Sequence, residues 1–152
     1  MPYLLLKWLH VLAAIIAVGA NITYGIWITR ASRKPDVLPF TLSGIKLIDG
    51  RVANPAYGLL FIIGLLMAFV GKLRLTTPWL LTALVLFVFV VLIGLLGYTP
   101  TLSRQIRVLD GEGFGSSNYQ AVARRGTILG VILAVLVIII VFLMVVKPGL
   151  WA

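Results

Sequence analysis

Four stretches without a charged side chain dominate this sequence, at residues 8–29, 52–71, 75–103 and 126–146. Each reaches the roughly 20 mostly apolar residues that a helix needs to cross about 30 Å of bilayer hydrocarbon. In hydrocarbon every main-chain N–H and C=O must bond within the protein, which leaves only helices or closed barrels. Barrel strands alternate apolar and polar residues over short segments, whereas residues 133–146 are apolar throughout. The expected fold is all-α, an integral membrane four-helix bundle made of two tandem transmembrane hairpins. The spans fall at about 3–29, 55–71, 78–99 and 126–147, and residues 1–152 form a single transmembrane domain.

Composition agrees. Only 11% of the residues are charged and the mean hydropathy is +1.12, against roughly 25% charged residues in soluble domains. The first run reads as a retained span and not as a cleaved leader. Trp8 and His10 interrupt its apolar core, and apolar sequence continues to Ile28, past the small-residue site at Val18-Gly19-Ala20.

Nine of the 13 lysines and arginines fall in the two segments joining spans one to two and three to four, residues 30–54 and 100–125. These are Arg30, Arg33, Lys34, Lys46 and Arg51, then Arg104, Arg107, Arg124 and Arg125. Basic segments stay in the cytoplasm. Both termini are therefore expected outside, on the periplasmic face of an inner membrane. The net charge of +9 suits anionic headgroups better than nucleic acid, since no aromatic RNA-binding motif accompanies it. Within the basic segments, residues 40–52 read as a rough amphipathic helix, with Leu42, Ile45, Leu47, Ile48 and Val52 among charged residues. Asn54-Pro55 marks a break or kink before the next span. Such segments either lie on the membrane surface or extend the helices beyond it. Residues 111–117, rich in glycine, read as a flexible turn. Lys72 and Lys147 close the second and fourth spans 75 residues apart, which suggests a parallel repeat of one hairpin.

Chemistry is sparse. Cysteine is absent and His10 is the single histidine, which removes thiolate metal sites, cysteine nucleophiles and zinc-hydrolase motifs. Asp36, Asp49, Asp110 and Glu112 all fall in the basic segments. No span is therefore expected to hold a carboxylate, and a proton-driven exporter is disfavoured. Packing faces show as small and polar residues. On the first helix Lys7, His10, Ala14, Ala17, Asn21 and Gly25 share a stripe; the fourth offers Gly126, Gly130 and Ala134. The second offers Gly64, Ala68 and Gly71, and the third Gly94 and Gly97. His10, about 10 Å along the first helix, is a candidate axial or metal ligand with Lys7 one turn away. Its alternative role is a hydrogen bond to a neighbouring helix. Asn21 reads as helix glue or a cofactor contact.

The opening run from Tyr3 to Asn21, with Lys7-Trp8-Leu9-His10 and Val18-Gly19, resembles a bacterial integral-membrane family known as domain of unknown function 2269. The Asn54-Pro55-Ala56 entry to the second span is similar to that family too. More distantly, the Lys-x-x-His opening resembles copper-resistance D proteins and HemJ-type protoporphyrinogen oxidases. That likeness implies haem or copper at His10, with Lys7 as its charged neighbour; a chlorophyll-type pigment would use the same imidazole. Three functional expectations follow. The first is a non-enzymatic accessory or structural subunit packing against other membrane proteins or its own copies. The second is a haem- or metal-binding redox protein using His10. The third is a carrier for a lipid or other small hydrophobic molecule.

Overall fold

The computed structural model describes residues 1–149. Six α-helices build four long rods: α1 (Pro2–Ala31), α2 (Leu38–Ile48) with α3 (Asn54–Val70), α4 (Pro78–Leu92) with α5 (Thr99–Glu112), and α6 (Ser117–Val146). All four rods are long and apolar enough to cross a membrane. The rods of 30, 36, 35 and 30 residues extend about 45–54 Å at 1.5 Å per residue, well beyond the hydrocarbon thickness.

The segments between spans are largely helix. α2 runs into α3 through a π-helical segment, Asp49–Ala53, and α4 runs into α5 through another, Ile93–Tyr98. Each is closed by an i→i−5 bond, from Asn54 N–H to the Asp49 carbonyl and from Thr99 N–H to the Gly94 carbonyl. The cause is the same in both. A proline follows two residues after each segment, at Pro55 and Pro100. Its missing N–H and its ring displace the carbonyl one turn back, and the helix widens around the defect. The break expected at Asn54-Pro55 is thus a widened turn within a continuous rod. These two inner rods carry the π segments, and the outer rods carry none.

The connections are short. Gly113, with φ of 81°, stops α5 in a conformation that glycine adopts without penalty. Ser116 Oγ then accepts the Tyr119 N–H at 3.1 Å and caps α6. Asn118 Nδ2 donates to Glu112 Oε1 at 2.7 Å across the turn. The glycine-rich turn is therefore confined to residues 113–116 and tied at both ends. At the opposite end Lys72 and Lys147 take left-handed conformations after α3 and α6. Lys147 Nζ sits 5.4 Å from the Trp79 ring centre.

Two interfaces hold the bundle. Antiparallel α1 and α3 meet through small residues, with Ala13, Ala17, Ala56 and Ala68 buried. Here main chains approach closely enough for dispersion to replace the hydrophobic effect, which lipid cannot supply. α6 packs against α4 and α5, and α2 against α5. In α2 and onward the buried stripe is Leu38, Leu42, Ile45, Asp49, Ala53, Ala56 and Leu60, a four- and three-residue spacing that passes unbroken through the π segment. Leu47, Ile48 and Val52, expected on the amphipathic face, are exposed.

Gly64 is where this packing is most easily tested. A Cβ there would stand 3.2 Å from His10 Cε1. Gly64→Leu is expected to lower stability by about 1–3 kcal/mol through overpacking, seen as a reduced Tm in detergent. Gly19→Leu, with nothing within 4 Å of its Cβ, is the control that should leave Tm unchanged.

Candidate functional site

The sequence-derived candidates separate once they are placed in the bundle. His10 lies in the α1–α3 interface against Gly64, with its Nδ1 buried and unbonded. Lys7 is exposed. Neither lines either of the two cavities described below. Packed against Gly64 in this way, His10 Nδ1 is closed to a haem iron or a pigment magnesium. No group of three metal-binding side chains is assembled among the described residues. Gly71 abuts Tyr3 and Ala68 is buried, both in the α1–α3 interface. Gly97 lies against Leu129, Gly126 against Gln105 and Gly130 against Tyr98. Ala134 faces outward, whereas Gly25 lines the smaller recess described below. Of the residues proposed to meet a cofactor, Asn21 lines both of these cavities.

The larger cavity was not foreseen. α3 and α4, although joined by a short turn, are held apart and meet through rings, Phe87 lying 6.2 Å from Tyr57 and 6.0 Å from Phe61. Between them lies a cleft of about 300 Å³. Its walls are apolar along most of their length, with Phe61, Phe87, Val91 and Leu95, and one end is polar, with Asn21, Asp49, Asn54 and Tyr57. Ligand pockets have this make-up: apolar walls and a few placed polar groups.

Asp49 dominates the polar end. It is only 5% exposed, although it was expected in a solvated segment. Thr99 Oγ1 donates to Asp49 Oδ2 at 2.9 Å, and Asn54 Nδ2 donates to the same oxygen at 3.4 Å. Both partners are neutral, and Oδ1 accepts no bond among the described residues. The Thr99 bond also ties the two π segments together, since Asp49 opens the first and Thr99 directly follows the second. Widened turns of this kind are frequent at functional sites.

Tyrosines complete the site. Tyr24, Tyr57 and Tyr98 are within electrostatic reach of the Asp49 carboxylate. Asn21 Nδ2 donates to the Tyr57 hydroxyl. Tyr24 and Tyr98 stack 6.5 Å apart and 6° from parallel, dividing the cleft from a smaller recess of about 140 Å³ that reaches Thr29 and Gln105. The Tyr24 hydroxyl is buried without a partner among the described residues. A second buried pair, Gln105 Nε2 to Tyr119 Oη at 3.1 Å, pins α5 to α6 beyond the recess.

One signal for this site was available from the residue pattern. Asp49 follows Leu38, Leu42 and Ile45 at helical spacing and so belongs to their apolar face. The basic neighbours Lys46 and Arg51 concealed it, since they suggest a wet surface. The tyrosine cluster carries no local signal, because its members come from three rods.

Taken together, four spanning rods and a polar site enclosed among them define an integral membrane protein. Over residues 4–148 the chain matches the family described as "Predicted integral membrane protein (DUF2269)", and it belongs to that family. No curated protein and no solved structure matches it. The likeness to copper-resistance D and HemJ-type proteins has no counterpart in these findings.

The two tyrosines should behave oppositely on removal of their hydroxyls. Tyr57→Phe strips Asn21 of its acceptor and is expected to cost about 1 kcal/mol. Tyr24→Phe removes an unbonded buried hydroxyl, so its Tm in detergent is expected to match or exceed that of the wild type. A large loss at Tyr24 would contradict this assignment.

Proposed function

We propose that this protein is a non-enzymatic membrane protein that binds a small hydrophobic molecule in the cleft between α3 and α4. The observation that carries this reading is the buried Asp49 carboxylate, with neutral partners only, at the end of an apolar cleft. An intramembrane ionisable group is expensive and by default marks a functional position. The cleft is also within the volume range of small-molecule sites. Asn21 and Tyr57 would position the polar end of the ligand. Phe61 and Phe87 would hold its apolar body.

Glycines allow a clean test. Gly58 and Gly94 line the cleft, and a Cβ at either position meets nothing within 4 Å. Leucine there is expected to reach into the cleft and occupy it. A diazirine-tagged fatty chain, offered as alcohol and as amine, is expected to label Phe61, Phe87 and Leu95 in the wild type. Gly58→Leu/Gly94→Leu should abolish this labelling while leaving Tm unchanged. Labelling spread evenly over the outer surface of both proteins would refute the reading.

The same proposal places the protein in an inner membrane with its termini outside. All nine basic residues of the 30–54 and 100–125 segments are exposed, which suits contact with anionic headgroups at the cytoplasmic side. A second reading, a subunit that packs against other membrane proteins or its own copies, is favoured by Gly19 and Ala134. These small residues face outward with room for a close helix approach. The chain contains no cysteine, so single substitutions report cleanly. Thr76→Cys is expected to react with an impermeant maleimide on intact cells, and Gly115→Cys only after permeabilisation. Gly19→Cys or Ala134→Cys should crosslink to a second chain if the subunit reading holds, and stay monomeric if it fails.

A further inference from the structure

We infer that the ligand of this cleft is a cationic amphiphile, a hydrophobic body with a single ammonium-type charge, and that this charge replaces a proton on Asp49. The inference rests on reading the cleft as a ligand site and adds the chemistry of the head group. Asp49 has two neutral hydrogen-bond donors, both on Oδ2. An ionised carboxylate so enclosed is an uncompensated charge, costly by several kcal/mol unless a cation joins it. A protonated carboxyl needs no counter-ion. The two states are therefore acid with an empty cleft, and carboxylate with a bound cation.

The surroundings favour this exchange. The titratable side chains within electrostatic reach of Asp49 are Tyr24 from α1, Tyr57 from α3 and Tyr98 from the second π segment. Asn21, Asn54 and Thr99 add neutral dipoles. The basic neighbours in sequence, Lys46 and Arg51, are exposed, so the protein offers no internal cation. Tyrosine faces also attract an ammonium group. The position suits an amphiphile. Asp49 lies about 30 Å along the helix from Val70, so if Val70 marks the outer edge of the hydrocarbon, the acid lies near its inner edge. The apolar cleft then leads toward the middle of the bilayer. On binding, the ammonium group takes the place of the acidic proton beside Oδ1, and that proton leaves to the aqueous phase, one released for each cation bound.

The test uses the full chain in nanodiscs of zwitterionic lipid, with empty nanodiscs subtracted. Dodecyltrimethylammonium, dodecanol and dodecanoate share one tail and differ in charge. Dodecyltrimethylammonium is expected to bind roughly tenfold or more tighter than dodecanol, to release protons measurable with an indicator dye in weak buffer, and to weaken as pH falls. Dodecanoate should be excluded. Asp49→Asn, which keeps the shape, should lose the preference for the cation while retaining dodecanol, and Asp49→Glu should restore it in part. If dodecanol and the cation bind equally to the wild type, or no proton is released, the charge assignment falls while the cleft reading stands. If no probe binds, both fall. The wild-type comparison decides the matter even where a variant does not fold.

Discussion

Within a bilayer a polar group has only the protein to bond to, and the architecture follows from that constraint. Main-chain groups are satisfied inside the rods, including at the two widened turns, where i→i−5 bonds replace the usual ladder. Several buried side-chain groups are paired between rods: Asp49 with Thr99, Asn21 with Tyr57, Gln105 with Tyr119; His10 Nδ1 and the Tyr24 hydroxyl have no partner among the described residues. The Asp49–Thr99 and Asn21–Tyr57 pairs join residues 50 and 36 apart in sequence, and so they help to fix which rods are neighbours. The small-residue interface of α1 with α3 supplies the close approach that makes the Asn21 pair reachable.

The two prolines are the local cause of the site. Without Pro55 and Pro100 each inner rod would continue as a regular α-helix. A π segment is a locally widened turn; Asp49 opens the first and Thr99 directly follows the second. That both defects lie on the inner rods, at matching distances from the 113–116 and 32–34 turns, brings them face to face. The same widening accompanies the separation of α3 from α4, where the cleft forms.

Much of the fold was legible in the residue pattern, and the reasons are physical. Charge-free runs of membrane length have one comfortable solvent, so the four spans and the hairpin order followed directly. The rods themselves were longer than the apolar runs, because α2 and α5 are amphipathic helices packed on each other, with Leu38, Leu42 and Ile45 facing Leu102 and Leu109 in one core. Small-residue rows were partly legible: Gly64, Ala68 and Gly71 do meet α1, but Ala134, at the same spacing as Gly126 and Gly130, faces outward. Spacing identifies a face and leaves open how far along the helix a partner follows it. His10 attracted attention as a rare residue and turned out to be packed in an interface. Asp49 was overlooked because charge was read by its neighbourhood in sequence, whereas burial is set by the helical face. The tyrosine cluster arises only when three rods converge, and no single segment encodes it.

The separation of α3 from α4, bridged by rings, has a consequence for affinity. A molecule entering there comes from the bilayer, where its tail has already gained about 0.8 kcal/mol for each methylene removed from water. Moving that tail from lipid into an apolar cleft returns little more. Tail length would then set how much of the compound is dissolved in the membrane, and discrimination between compounds would rest on the few polar atoms around Asp49. A site of this kind tolerates varied hydrocarbon skeletons, because the bilayer has already selected for them before the protein is reached.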